Sequence, residues 1–221
     1  PVDGLTGGPT RPLIDRLADD LDGYQSATYA DHFRSVVAKV AAAESTVAPG
    51  STALADTVAI NLHKLMAYKD EYEVARLILA PEARAATEAV GGPGAKVQWH
   101  LHPPILRSLG MKNKIKLGRW ATPVFVVLRA GKRVRGTRLD PFGYAKVRRL
   151  ERRLIAEYEA AVDRLLNGLQ PATLADAIAI AGLPDGVRGY EHIKLSRAAA
   201  YEVELTRRLD DYAAETLTRR V

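Results

Sequence analysis

The chain has 221 residues, of which 47% are hydrophobic and 26% charged, a composition typical of a globular protein with one sizeable core or two small lobes. It contains no cysteine, which excludes disulfides and a cysteine-ligated iron–sulfur cluster within this sequence and fits a reducing cytoplasm. No apolar run approaches the ~18 residues of a membrane-spanning helix, and no secretory signal opens the chain.

Positive charge is concentrated in the middle of the chain. The net charge is +6, yet residues 107–153 hold fifteen Lys and Arg against two acids, a local charge of +13. The remaining residues therefore carry −7 in total. A basic surface of this kind attracts nucleic acid, an acidic protein or a phosphate-bearing cofactor.

The chain begins with a short irregular segment and then becomes helical. Residues 1–11 are rich in Gly, Pro and Thr, which is typical of a linker or an extended arm. Beyond them, the spacing of apolar residues predicts helices over about 12–23 and 26–44. We predict that 12–221 forms a single, mostly helical C-terminal domain.

The densest pattern predicts a helix that runs from a cap at Ser51 or Thr52 to about Pro81. Its apolar residues recur three, four or seven positions apart, as on one helix face: Val58, Leu62, Leu65, Tyr72 and Leu79. Its central thirteen residues, 64–76, carry six charged residues: Lys64, Lys69, Asp70, Glu71, Glu73 and Arg76. They form either an ion-paired surface, with pairs such as Glu73–Arg76, or a charged face buried against another part of a larger assembly.

A short strand or hairpin near 96–118 is the only predicted β element, so the predicted fold class is mainly α (α+β). A short helix at 81–90 and a turn at Gly91–Gly94 precede it, and that turn lacks the Gly-Lys-Ser/Thr ending of a phosphate-binding loop. His100 and His102 alternate onto one strand face and could hold a metal ion. Two ligands are too few and no third is identifiable, so an exposed polar strand face is the preferred interpretation.

Four further helices are predicted, at 122–135, 144–167, 171–181 and from 191 onward. The second carries four arginines that we place outward: Arg148, Arg149, Arg152 and Arg153. The last turns four side chains inward: Ile193, Ala200, Val203 and Leu209. Arg188, in the loop before the last helix, could hold a carboxylate or phosphate, although satisfying helix-end carbonyls is the preferred interpretation.

No catalytic constellation is recognisable in the sequence. It contains no G-x-S-x-G, no H-E-x-x-H and no dinucleotide fingerprint. The neighbouring carboxylates Asp70, Glu71 and Glu73 could bind a cation or transfer protons, but Lys69 and Arg76 would neutralise them first. We therefore predict no catalytic and no metal-binding residue in this chain.

Several long motifs follow one another along the chain. They are D-G-Y-Q-S-A-T-Y-A at 22–30, L-M-A-Y-K-D-E-Y-E-V-A-R-L at 65–77, L-H-P-P at 101–104, R-G-T-R-L-D-P-F-G-Y at 135–144, R-R-L-E-R-R-L-I-A-E-Y-E at 148–159 and L-P-D-G-V-R-G-Y-E-H-I-K at 183–194. In this order they resemble the C-terminal region of the long, fused indolepyruvate ferredoxin oxidoreductases. The resemblance covers nearly the whole chain, and His102 departs from it because the family pattern carries an apolar residue there.

This resemblance implies an enzyme that oxidatively decarboxylates an aryl 2-oxo acid to acyl-CoA and passes the electrons to ferredoxin. Thiamine diphosphate, Mg²⁺, 4Fe–4S clusters and coenzyme A are implied for the complete enzyme, with no cofactor expected within this segment. Its implied partners are the remaining domains, ferredoxin and further copies of the complete enzyme, all in the cytoplasm. The first residues are Pro-Val rather than Met, which suggests a piece of a longer polypeptide.

The candidate interface or anion-binding residues are charged members of these motifs and their neighbours: Lys69, Asp70, Glu71, Arg76, Arg135, Arg138, Arg148, Arg149, Arg152 and Arg188. In this hypothesis the segment is structural or docking rather than catalytic, and its basic stretch faces an acidic ferredoxin or the phosphates of coenzyme A. The alternative is a free-standing basic helical protein that binds nucleic acid or acts as a scaffold. Few aromatic residues for base stacking and no helix-turn-helix spacing argue against nucleic acid.

Overall fold

The computed structural model describes residues 10–92, 94, 96–101, 113, 115–189 and 191–218. Within these residues the chain forms nine α-helices and one two-stranded antiparallel sheet, which confirms the predicted mainly helical fold. Residues 1–9 of the arm predicted at 1–11, together with His102 and the basic residues between 103 and 112, lie outside this part of the chain, and residues 10–11 belong to the first helix. None of the described helices is long and apolar enough to cross a membrane.

Most of the helices fall close to their predicted positions, and the helix predicted to run to about Pro81 is divided into two. The helices are α1 (Thr10–Tyr24), α2 (Ala27–Val47), α3 (Ala53–Met66), α4 (Glu71–Ile78), α5 (Pro81–Gly91), α6 (Thr122–Ala130), α7 (Lys146–Asn167), α8 (Leu174–Ala181) and α9 (Glu191–Thr218). The strands β1 (Trp99–Leu101) and β2 (Ile115–Leu117) pair with Trp99 opposite Leu117, so the predicted hairpin near 96–118 is confirmed in its paired strands.

The chain divides into two compact units, which we call unit 1 and unit 2. Unit 1 combines the chain up to residue 67 with the chain from residue 150 onward, and unit 2 is the continuous segment 68–149. In unit 1, α1, α2 and α3 pack against one another, α3 packs against α8, and α8 packs against α9. In unit 2, α4 packs against α5 and α6, and Ala75, Ala121 and Phe125 form a small apolar core.

Thr52 is the N-cap residue of α3, as predicted, but its side chain makes no cap hydrogen bond, and a buried carboxylate accepts from two of the first N–H groups of the helix. Glu44 of α2 is fully buried, and its Oε1 and Oε2 accept hydrogen bonds from the backbone N–H groups of Leu54 (3.0 Å) and Ala55 (2.9 Å). The Ser51 hydroxyl also donates to this carboxylate, at 2.6 Å. A negative charge at the start of a helix is favourable because the first N–H groups have no acceptor within the helix.

The predicted inner face of the last helix is wrong for Ile193, Ala200 and Val203, which are exposed, and right for Leu209. The side chains of α9 that reach the core of unit 1 are Ala198, Tyr201, Leu205, Leu209 and Tyr212. Tyr212 can occupy its position because a buried acceptor is available: its hydroxyl donates to the Leu165 carbonyl at 3.0 Å. The spacing of aliphatic residues alone therefore predicts the wrong side of the helix as the buried one.

Alkaline pH is expected to unfold the chain because burial raises the pKa of Tyr72, Tyr158, Tyr201 and Tyr212. The unfolded chain releases these protons near pH ~10 and the folded chain retains them, so stability is complete below that pH and falls above it. Each tyrosine lowers the free energy of unfolding by about 1.4 kcal/mol per pH unit. Urea unfolding at rising pH, with Tyr158→Phe beside the wild type, measures this slope; an unchanged slope in the variant would contradict the assignment.

Candidate functional site

The predicted continuous helix through the central motif is interrupted, and this interruption begins the candidate site. α3 ends at Met66 and α4 begins at Glu71, so the prediction of one helix up to Pro81 is wrong. Asp70 is the N-cap of α4, and its carboxylate accepts a hydrogen bond from the backbone N–H of Glu73 at 2.8 Å. An aspartate at this position favours a helix start, because its side chain satisfies an N–H group that has no acceptor within the helix.

Asp70 and Arg135 form a buried, two-pronged ion pair within unit 2. The guanidinium donates from Nε to Oδ2 at 2.5 Å and from Nη2 to Oδ1 at 2.8 Å. Asp70 is only 3% exposed and Arg135 only 5%. Both charges have left bulk water, and the paired geometry is what makes their burial tolerable.

Asp140 is a second buried carboxylate in unit 2 and holds the loop that follows Arg135. Its Oδ1 accepts hydrogen bonds from the Tyr72 hydroxyl (3.0 Å) and the backbone N–H of Phe142 (3.1 Å). Its Oδ2 accepts from the backbone N–H of Gly136 (2.9 Å), which has a φ of +74° that favours glycine. The loop 135–145 is therefore fastened to α4 through both Arg135 and Asp140.

Aromatic rings pack beside the buried Arg135 and Asp140 side chains. The Arg135 guanidinium carbon lies 5.4 Å from the centre of the Tyr72 ring, and Phe142 meets the same ring edge-on at 5.2 Å. A Cβ at Gly131 would come within 2.9 Å of the Tyr72 ring, so the close approach at this position requires glycine. The Tyr72 ring is thus fixed from several sides while its hydroxyl donates to Asp140.

A second ion pair in unit 2 joins Glu71 to Arg148, whose Nη2 donates to Oε2 at 3.4 Å. The Arg148 guanidinium also lies 5.8 Å from the centre of the Tyr68 ring. Burial raises the pKa of Glu71, and the charge of Arg148 opposes that rise. Arg148 is itself buried, so the prediction that it points outward is wrong: its partner on α4 is distant in sequence and cannot be read from α7 alone.

The predicted pair Glu73–Arg76 is confirmed, with two contacts of 2.7 and 2.8 Å. Glu73 is buried whereas Lys69 is exposed. The central motif is thus a charged face that is largely buried, and the charges that oppose it come from the same chain.

We call six of these residues the Asp70 network: Asp70, Glu71, Tyr72, Arg135, Asp140 and Arg148. The other candidate residues lie apart from it. Arg138 and Arg149 are exposed in unit 2, while Arg152 is half-buried in unit 1. Arg188, also in unit 1, is exposed and donates from Nε to the Asp185 carbonyl at 2.9 Å. His100 is exposed on β1, and no group of three or more potential metal ligands exists in the described part of the chain.

Sequence reasoning missed Tyr72 and Asp140 as members of the network. Tyr72 was counted as part of an apolar stripe, and Asp140 entered only as a letter of the motif 135–144. The signal that could have found them is their position, since each lies in one of the charged motifs 65–77 and 135–144. In unit 1 two further motifs meet in the same manner, where the Lys194 Nζ donates to the buried Glu151 Oε1 at 2.5 Å.

The arrangement is suited to holding a loop rather than to proton transfer. The carboxylates of Asp70 and Asp140 each accept three hydrogen bonds from the groups described above. The loop that they fasten carries Arg138 and Leu139 at the surface, with the Leu139 side chain 79% exposed. The Tyr144 hydroxyl donates to the Arg138 carbonyl at 2.7 Å and fixes the exposed part of the loop as well.

Comparison with known proteins gives one match. A family of unknown function, DUF6537, matches residues 10–207. No curated protein and no solved structure matches the chain.

Proposed function

The chain belongs to the DUF6537 family, and from this premise we propose that it is a docking domain of an indolepyruvate-type 2-oxo acid:ferredoxin oxidoreductase in the cytoplasm. In this proposal the oxidative decarboxylation takes place in other domains of the enzyme. This chain holds the assembly together and receives an acidic partner, ferredoxin, on its basic surface. The motif resemblance over nearly the whole chain supports the enzyme class.

The observation that carries the docking role is the Asp70 network. Two motifs of the resemblance, 65–77 and 135–144, meet there through Asp70–Arg135 and Tyr72–Asp140. Burying charged groups costs desolvation free energy, and a network in which every charge is paired holds its side chains in one geometry. We infer that the motif residues serve to present the loop 135–145 in one conformation, as a preorganised contact surface requires.

The cofactors of the proposed enzyme belong to its other domains. A 4Fe–4S cluster needs cysteine thiolates, and this chain has no cysteine, so its residues do not fit that group. In this proposal thiamine diphosphate and the Mg²⁺ ion that holds it are bound by other domains of the enzyme, which supply the oxygen ligands of the ion. No step of the reaction is therefore assigned to a residue of this chain.

The structure divides the basic stretch into inward and outward charges. Arg135 is paired with Asp70, and Arg148 is paired with Glu71. These two arginines therefore contribute less to the electrostatic potential around the protein than the sequence implies. Arg138 and Arg149 are exposed and carry outward charge. In this proposal they attract the acidic ferredoxin, a contact that governs association rate and weakens with salt.

The first experiment isolates the native protein that carries this sequence and measures its intact mass and its activity. A mass above roughly 100 kDa, several typical domains, and indolepyruvate-dependent reduction of ferredoxin in the presence of coenzyme A are expected. A free chain of 24.1 kDa without that activity would overturn the proposal.

In that enzyme, the double variant Arg138→Glu and Arg149→Glu is expected to raise the apparent KM for ferredoxin about tenfold at low salt. The increase should shrink at high salt, and reduction of a small neutral dye should not change. The matched control is Arg16→Glu with Arg84→Glu, two exposed arginines outside the basic stretch, which makes the same charge change. An equal KM in both double variants would remove ferredoxin docking, whereas slower acyl-CoA formation with the dye would point to coenzyme A instead.

A further inference from the structure

The helix α6 buries one side and exposes the other, and the exposed side is apolar. Ala121 and Phe125 point into the core of unit 2, where the Trp99 ring meets Phe125 edge-on at 5.1 Å. Val124 and Val127 are 51% and 71% exposed, and Trp120, in the 3₁₀ turn before the helix, is 71% exposed. Spaced four and then three residues apart, these three form one stripe, which we call the α6 stripe.

The surroundings of the α6 stripe are basic. Between residues 119 and 134 the sequence holds four Lys and Arg and no acid. Arg119 precedes the stripe and Arg129 follows it, and both are exposed. An apolar centre flanked by positive charge fits a surface with an apolar centre and surrounding carboxylates.

We infer that the α6 stripe, Trp120 with Val124 and Val127, docks an acidic protein whose contact surface has an apolar centre. This inference rests on the proposed function and adds to it the surface used and the chemistry of the partner. Trp120 is the anchor, since tryptophan buries a large area on contact and is enriched among residues that dominate binding energy. Arg119 and Arg129 orient the partner through its carboxylates.

Other occupants fit these observations less well. A second copy of the chain would bring arginines against arginines, which disfavours a symmetric contact. Nucleic-acid bases stack on aromatic side chains, and Trp120 is the one aromatic residue of the stripe. A bound nucleic acid would therefore leave both valines without a partner. A membrane surface holds a helix in proportion to its buried apolar area, and Trp120 with two valines of a nine-residue helix supplies little.

The test uses the native enzyme with Trp120→Ala and, separately, with Val124→Ser and Val127→Ser combined. Each variant is expected to raise the apparent KM for ferredoxin about fivefold to tenfold, with little dependence on salt and no change in the rate of dye reduction. Val203→Ser is the matched control, since Val203 is equally exposed on α9 in unit 1, and it should leave KM unchanged. Arg119→Glu with Arg129→Glu should raise KM at low salt only.

The two proposals fail in different ways. A wild-type enzyme without 2-oxo-acid-dependent ferredoxin reduction would overturn the proposed function and this inference with it. An active wild type whose KM is unchanged in both stripe variants would overturn the inference alone. The stripe would then belong to another occupant: a copy of the chain if the variants change the mass in solution, or a bilayer if they abolish sedimentation with phosphatidylserine vesicles.

Discussion

Replacing Asp70 with alanine is expected to destabilise unit 2 by about 3–5 kcal/mol. The substitution leaves the Arg135 guanidinium buried without the carboxylate that it now contacts at 2.5 and 2.8 Å. It also removes the N-cap of α4, which accounts for about 1 kcal/mol of the loss. No other single change among the residues of unit 2 that the structure describes removes both a buried charge partner and a helix cap.

Tryptophan fluorescence is a selective probe for this experiment, because both tryptophans, Trp99 and Trp120, lie in unit 2. Urea unfolding followed by fluorescence should show the loss in Asp70→Ala, and a smaller loss in Asp70→Asn, which retains an oxygen for the cap. Adding Arg135→Met to Asp70→Ala removes the stranded charge and should restore about 2 kcal/mol. Glu82→Ala, an exposed acid of unit 2, is the control, and a loss in Asp70→Ala no larger than in this control would contradict the role of the pair.

Replacing Glu44 with alanine is expected to cost unit 1 about 3 kcal/mol. Its carboxylate accepts from the N–H groups of Leu54 and Ala55 and from the Ser51 hydroxyl, all at a fully buried position. Removing it leaves these donors without their acceptor, in a place where each unmet hydrogen bond costs about 1–3 kcal/mol before relaxation.

Far-ultraviolet circular dichroism follows this change better than fluorescence, since unit 1 holds most of the helical residues and no tryptophan. Glu44→Gln retains one acceptor oxygen and should lose about half as much. Ser45→Ala, the exposed neighbour, should lie within about 0.5 kcal/mol of the wild type. If Glu44→Ala has the same free energy of unfolding as Ser45→Ala, the Glu44 carboxylate does not stabilise α3.

Much of the fold could be predicted because helix periodicity is a local signal. α2 was predicted at 26–44 and runs over Ala27–Val47, and the helix predicted at 144–167 runs over Lys146–Asn167. The break at 67–70 was missed because the spacing from Leu65 to Tyr72 is seven residues, which continues a helical stripe across a segment that is not helical. Periodicity alone cannot reveal such a coincidence.

The candidate site was only partly predictable because its contacts are distant in sequence. The charged motif around Asp70 stands out in the sequence, but its partner Arg135 lies 65 positions away and nothing in the chain's periodicity links the two. For the same reason Arg148 looked like a surface charge on an amphipathic helix. Arg148 is buried because it contacts Glu71 of α4, whereas the neighbouring Arg149 is exposed. The pattern of α7 alone does not distinguish the two arginines.

The discontinuity of unit 1 has a consequence for biosynthesis. Its first three helices leave the ribosome before the 82 residues of unit 2, and α8, which packs against α3, follows only afterwards. At the usual 5–20 residues per second, α1–α3 wait about 4–16 s for unit 2 alone to be synthesised. During that delay the apolar face of α3 that later meets α8 has no cover from unit 1, so the nascent chain passes through a stage at which chaperone binding or aggregation competes with folding.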